Sequence, residues 1–131
     1  MRKAEAFYDK LRKCSDMAKK KKTVETIAFD FQQNLPLPHL PVGEIFYARQ
    51  LWVYNFCIHT ASSDDAHMYV WTEGDAKRGC NEVLSCLNDY MEHKLRDGVK
   101  TLYIFSDACA GQNRNKTMMQ YLYTMVREKK N

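Results

Sequence analysis

The chain has 131 residues, 45% hydrophobic and 27% charged, with a formal net charge of +4. A chain of this length can bury roughly two-thirds of its unfolded surface, and its composition excludes intrinsic disorder, collagen-like repeats and a coiled coil. No apolar run approaches the roughly 18 residues of a membrane span, and no apolar h-region follows the N-terminal charges, so an intracellular protein of the nucleus or cytoplasm with no membrane partner is expected.

Five cysteines, Cys14, Cys57, Cys80, Cys86 and Cys109, form no C-x-x-C pair. Neither a zinc finger nor a disulfide framework has a basis in that spacing. Charge is uneven. Residues 1–22 carry nine Lys/Arg against three Asp/Glu, a net of +6, whereas residues 23–131 carry eleven against thirteen. The sequence therefore divides into a basic N-terminal segment, 1–22, and a slightly acidic body, 23–131. A basic segment of this kind suits either a solvated helix tail or contact with a nucleic-acid backbone. Lys19, Lys20, Lys21 and Lys22 are its densest stretch.

Residues 2–18 read as a helix, with Ala4, Phe7, Tyr8, Leu11 and Met17 at loose helical spacing. From Thr23 the period changes to that of a strand. Ile27, Phe29 and Phe31 alternate with Ala28, Asp30 and Gln32. Asp30 thus lies on the face opposite the apolar one, where strand propensity does not ask for a carboxylate. Pro36, Pro38 and Pro41 make Asn34 to Glu44 an extended loop. A second strand is expected from Arg49 to Thr60 and a third from His67 to Thr72, joined by a turn at Ser62–Asp65 into an antiparallel hairpin. Trp52, Tyr54 and Phe56 share one face of the second strand and suit either base stacking or packing against a helix.

A helix is expected from Asp75 to Arg96, burying Val83, Leu84, Leu87, Tyr90, Met91 and Leu95. Asp97-Gly98 ends it, with Gly98 suited to a left-handed cap. Lys100–Ser106 reads as a strand covered on both faces, as in a parallel sheet. After Asp107 comes the small loop Ala108–Gly111, then a last helix from near Asn113 that turns Met118, Met119, Leu122, Met125 and Val126 inward. The order is an N-terminal helix followed by β-β-β-α-β-α. Three antiparallel strands, a crossover helix and a returning parallel strand imply an α/β fold with an RNase H-like mixed sheet. The right-handed crossover sets the fourth strand beside the first, and with it Asp107 beside Asp30.

Two carboxylates on adjacent strands repel unless they share a proton or a cation. Mg²⁺ or Mn²⁺ takes oxygen ligands, commonly one or two carboxylates plus water and phosphate. Paired ions of this kind promote phosphodiester cleavage. Asp30 and Asp107 are accordingly the candidate catalytic and metal-binding pair. Glu73 and Glu82 are candidates for a third ligand, or ordinary surface acids. Gln32, Gln112 and Asn113 are candidate nucleic-acid contacts, with Asn113 or Asn115 alternatively capping the last helix. His39, His59, His67 and His93 have no zinc spacing, although His59 and His67 can approach across the hairpin. No G-x-S-x-G elbow, P-loop or G-x-G-x-x-G is present.

The strings FDFQQNLPLPHLPVGEIFYARQLW (residues 29–52), AKRGCNEVLSCL (76–87) and LYIFSDACAGQNRN (102–115) resemble a large group of transposon-derived animal proteins, frequent in insects. The resemblance implies an RNase H-like, DDE transposase or integrase-type core. It makes Asp30 and Asp107 match the first two acidic positions of a DDE-type site, and it makes the proline loop a family feature. The third carboxylate of such a core comes from a later helix, after a fifth strand. The chain is therefore expected to be truncated and inactive itself, with its last helix exposing apolar surface. The complete parent is expected to cleave or transfer strands of DNA or RNA with Mg²⁺ or Mn²⁺. The alternatives are a domesticated, non-catalytic domain that binds nucleic acid or protein, and a poorly folding fragment.

Overall fold

The computed structural model describes residues 2–37, 51–109, 111 and 114–129. Its elements are α1 (Arg2–Lys20), β1 (Val24–Phe31), β2 (Leu35–Leu37), β3 (Leu51–Thr60), β4 (Asp65–Thr72), α2 (Cys80–Asp89), a π-helical turn (Tyr90–Lys94), β5 (Thr101–Phe105) and α3 (Lys116–Lys129). Among the described residues, no helix is long and apolar enough to cross a membrane.

The strands form one mixed sheet. β3 lies between β1 and β4 and is antiparallel to both. β5 runs parallel to β1 on its other side. The sheet order is thus β4-β3-β1-β5, with the fourth long strand returned beside the first.

One expectation is corrected between β1 and β3. Residues 35–37 are not loop but strand. Phe31 stands opposite Phe56, and Leu35 stands opposite Val53. Three residues, Gln32 to Asn34, therefore face two on β3, which is a bulge. β2 is β1 resumed after that bulge, held in part by the Gln32 N–H donating to the Asn55 carbonyl at 2.7 Å. Pro36 is tolerated because β5 ends at Phe105, which leaves this stretch of the strand an edge where no donor is needed. The rest of the expected proline loop, residues 38–44, lies outside the described residues.

The two faces of the sheet are covered differently. Ile27, Phe29 and Phe31 point to one face with Phe56 and Ile58, where Val83, Leu87, Tyr90 and Met91 of the α2 region and Met118 of α3 close over them. Each large apolar side chain buried here stabilises the fold by about 1.5–3 kcal/mol. Phe31 anchors one end by edge contacts with Phe56 at 5.1 Å and Trp71 at 5.7 Å. Trp52, Tyr54 and Phe56 are on this face too. Phe56 is fully buried, Tyr54 stacks edge-on to Trp71, and Trp52 at the sheet margin stays 42% exposed. Packing, not base stacking, occupies Phe56 and Tyr54.

The opposite face carries α1. Cys14 and Ala18 are buried, the Thr26 hydroxyl donates to the Cys14 carbonyl at 2.8 Å, and Phe7 meets Phe105 edge-on at 5.5 Å. α1 consequently runs antiparallel to β1, its N-terminal end over the carboxyl end of β5.

The crossover helix is shorter than its apolar stripe suggests. Asp75 stops the chain from entering helix at once, because its Oδ2 accepts from the Thr72 hydroxyl at 2.8 Å and closes a turn. α2 starts only at Cys80. Beyond Asp89 the backbone widens, and the Leu95 N–H bonds the Tyr90 carbonyl five residues back. Gly98 has φ of +81°, the left-handed conformation expected of it, in the turn before β5. In α3, Met118 is buried, with Tyr121, Leu122 and Met125 packed on the core. Met119 and Val126, expected inward, are 66% and 57% exposed. The sheet takes only the 118/121/122/125 side of the helix, one face at i, i+3, i+4, i+7.

Candidate functional site

The parallel ladder between β1 and β5 ends with Ala28 opposite Phe105. Asp30 and Asp107 each stand two residues beyond that rung. Adjacent strands lie about 4.8 Å apart, and residues two apart share a face. Asp30 lies within β1 and Asp107 two residues past the last residue of β5, so both belong to the carboxyl end of the β1–β5 pair. Both residues are exposed. Ligands of open α/β sheets gather at such ends.

Local hydrogen bonds orient both groups. Asp30 Oδ1 accepts from the Phe31 N–H at 2.8 Å. Asp107 Oδ1 accepts from the Cys109 N–H at 3.3 Å, and the Ser106 hydroxyl donates to the Asp107 carbonyl at 3.2 Å. Asp107 thereby folds the start of the following loop as an Asx-type turn. Across the ladder from Asp30 is Cys57, whose thiol pKa is pushed up by burial. The donor set at this end is oxygen-rich, which fits a hard divalent cation held by one or two carboxylates with water and phosphate.

The proposed third carboxylates are used elsewhere. Glu82 Oε1 accepts from the Lys77 N–H at 3.2 Å and its Oε2 from the Gly79 N–H at 3.1 Å. It satisfies donors at the start of α2, over the face opposite Asp30. Glu73 Oε1 accepts from the Trp52 N–H at 3.3 Å, just past the end of β4, two strands away from β1. Among the described residues, no three His, Cys, Asp or Glu side chains converge in a group able to hold a metal. Gln32 sits in the bulge with its side chain exposed, two residues beyond Asp30. Gln112 and Asn113 lie outside the described residues. Asn115 is the cap of α3, its Oδ1 accepting from the Met118 N–H at 2.9 Å.

Lys19–Lys22 do not approach the aspartates. Lys19 Nζ is 3.4 Å from Asp64 Oδ2 in the β3–β4 turn, and Lys21 and Lys22 lead into Val24. The six-residue step from Val24 to Asp30 spans about 20 Å of strand. His59 and His67 do not converge either. Their register offsets them by one residue, so they occupy opposite faces. His59 Nε2 is 3.8 Å from Asp64 Oδ1, while the His67 ring meets Tyr90.

A second polar site lies at the other end of β1. Glu25 is only 1% exposed, the most deeply buried carboxylate among the described residues. Its Oε2 accepts from the Ser62 hydroxyl at 2.7 Å and lies 3.1 Å from Arg96 Nε. That approach is too bent to count as a hydrogen bond, so Nε is held by charge alone. Arg96 Nη2 also donates to the carbonyls of Ala18, Lys21 and Val24. One guanidinium therefore ties the end of α1 to the start of β1 and neutralises the buried acid. Nearby, the Tyr90 and Thr60 hydroxyls share a 2.6 Å hydrogen bond. Glu25, Thr60, Ser62 and Arg96 border an open cleft of about 390 Å³ that also includes Asp65, His67 and Lys94. The sequence did carry a signal for Glu25: it has the same strand parity as Ile27, Phe29 and Phe31, so it had to enter the apolar face.

No family model, curated protein or solved structure matches this chain.

Proposed function

We propose that the chain is an RNase H-like core of the DDE transposase or integrase type. In this reading Asp30 and Asp107 jointly hold Mg²⁺ or Mn²⁺ against the backbone of DNA or RNA. The observation that carries it is the β1–β5 register: both aspartates follow the Ala28–Phe105 pair by two residues, Asp30 within β1 and Asp107 just past the end of its parallel neighbour. The sheet order β4-β3-β1-β5 and the resemblance of residues 29–52 and 102–115 support the same reading. A divalent ion bound there would neutralise phosphate charge and, in a complete site, activate water. The chain's own contribution is to hold Asp30 on β1 and Asp107 in the turn that follows β5. Because backbone amides occupy Glu73 and Glu82, we infer metal and nucleic-acid binding without turnover for these residues. That places a domesticated binding domain as the second reading, favoured by the same two glutamates.

The test is a Mn²⁺ titration by calorimetry on the chain and on Asp30→Asn and Asp107→Asn, with circular dichroism to establish folding. Saturable binding to the unaltered chain that disappears in both variants is the expected result. Undiminished binding in either variant, or none to the unaltered folded chain, refutes a shared site.

A further inference from the structure

We infer that α1 presents a phosphate-tracking ridge made by Lys3, Lys10, Lys13 and Lys20, and that Lys19 and Lys22 are not part of it. The inference rests on the nucleic-acid reading above and identifies the surface that would hold the backbone.

It starts from how α1 is pinned. Phe7, Leu11, Cys14 and Ala18 form the stripe toward the sheet, with Cys14 and Ala18 buried and Phe7 against Phe105. At about 100° per residue, the remaining side chains sort into three sectors. Lys3, Lys10, Lys13 and Lys20, with Arg2, fall within one sector roughly 100° wide. Glu5, Asp9 and Asp16 fall together in the next, directly away from the sheet. Tyr8, Arg12 and Lys19 fall in the third. All four ridge lysines are exposed. Lys19 marks the direction of the third sector, since it pairs with Asp64 in the β3–β4 turn. The ridge therefore faces the other way, toward the β5 side of the sheet. No acid falls in the ridge sector, which Ala6 and Met17 share with the lysines, so all the charge on that side of the helix is basic, which a merely soluble helix has no need of.

The ridge also has direction. α1 runs antiparallel to β1, so Lys3 is at the Asp30/Asp107 end and Lys20 at the Glu25 end. From Lys3 to Lys20 the rise is about 25 Å, equal to about seven base-pair steps of duplex. A backbone lying along the ridge would thus reach the aspartates at its Lys3 end.

The same charge on a surface helix can serve an anionic membrane, where an amphipathic helix gains further affinity from an apolar face buried in lipid. Here the sheet already occupies that face. A nucleic-acid backbone needs only charge, and it is the partner the geometry favours.

The test is fluorescence anisotropy of a labelled 12-base-pair DNA duplex, with KCl varied from 50 to 200 mM. Two triple variants remove equal charge: Lys3/Lys10/Lys13→Gln on the ridge, and Arg12/Lys19/Lys22→Gln on the opposite flank. Three lost phosphate contacts lower the salt slope by about 2.7, so between those salt concentrations the unaltered chain should lose about 40-fold more affinity than the ridge variant. The flank variant should keep nearly the full slope. Equal losses in both variants, or a loss confined to the flank, overturn the ridge while leaving the nucleic-acid reading intact. No binding of duplex by the unaltered chain, with binding instead to vesicles containing phosphatidylserine, overturns both.

Discussion

Arg96→Ala tests the claim that one guanidinium locks the two ends of the N-terminal segment together. The substitution leaves Glu25, 1% exposed, without its counter-charge, and it removes the donor to three backbone carbonyls. Breaking a buried ion pair from one side costs about 3–5 kcal/mol. The Arg96 side chain keeps 33% of its surface, so water can partly replace it, and the lower end of that range, about 3 kcal/mol, is the appropriate figure. Domains of this kind are stable by only about 5–15 kcal/mol in total. A loss of about 3 kcal/mol would lower Tm by roughly 10–15 °C.

The assay is urea unfolding followed by circular dichroism, on the single variant, on Glu25→Gln and on the double variant. The glutamine amide keeps an acceptor for the Ser62 hydroxyl, now 2.7 Å from Oε2, but carries no charge. If the cost comes from an uncompensated buried charge, the second substitution should recover about 1–2 kcal/mol of the loss in the Arg96→Ala background, as expected of residues in direct contact. A cost for Arg96→Ala below about 1 kcal/mol, the range of exposed ion pairs, refutes the argument. Equal cost in the presence and absence of the Glu25 charge would show that Arg96 acts only through the carbonyls.

Two further outcomes follow from the titrating groups. The Tyr69 hydroxyl donates to Asp89 Oδ2 at 2.7 Å, and this bond is the largest cause holding the Asp89 carboxyl below its ordinary value. A depressed carboxyl pKa contributes stability above the unfolded value, near 3.9, that is lost as pH falls through the folded one. Tyr69→Phe should therefore flatten part of the acid limb of stability below about pH 4 while changing little of the slope near neutrality; an unchanged acid limb in thermal melts from pH 3 to 7 counts against it. Burial and the nearby Asp89 and Glu82 charges push the Cys86 thiol up to about 11, and Cys14 is buried with it. In iodoacetamide labelling at pH 8, read by mass spectrometry, exposed Cys109 should react first and Cys14 and Cys86 only on unfolding; early alkylation of Cys86 contradicts the packing of α2.

The strand order was legible because β1 has a clean apolar parity, the last strand reads as a continuous run suited to a parallel sheet, and the crossover helix lies between that strand and the hairpin. The parity of Ile27, Phe29 and Phe31 also sets Asp30 on the other face. Boundaries were less legible, for local reasons. The Thr72–Asp75 turn delays α2, an effect of one carboxylate on one hydroxyl that periodicity does not register. The bulge at Gln32–Asn34 was hidden because prolines read as loop, whereas an edge strand can hold one. In α3, five apolar residues were expected inward, but a single-sided sheet contact has room for a narrower face, so Met119 and Val126 stay outside.

The site divides along the same line. The parallel neighbourhood of β1 and β5, on which the proposed pairing of Asp30 with Asp107 rests, could be read from sequence because strand order is a topological quantity. Glu73, Glu82 and the lysines could not, because their destinations depend on side-chain reach. A glutamate three residues into a helix start, as Glu82 is, serves the helix's own unpaired amides wherever it can, and that tendency outranks a distant metal. For α1, counting basic residues pointed to the densest run, Lys19–Lys22, but density along the chain is not density in space. Helical projection disperses that run, sending Lys19 to Asp64, and gathers Lys3, Lys10, Lys13 and Lys20 from the rest of the helix onto one side. Any electrostatic function of this segment has to be read from that projection rather than from the lysine tract.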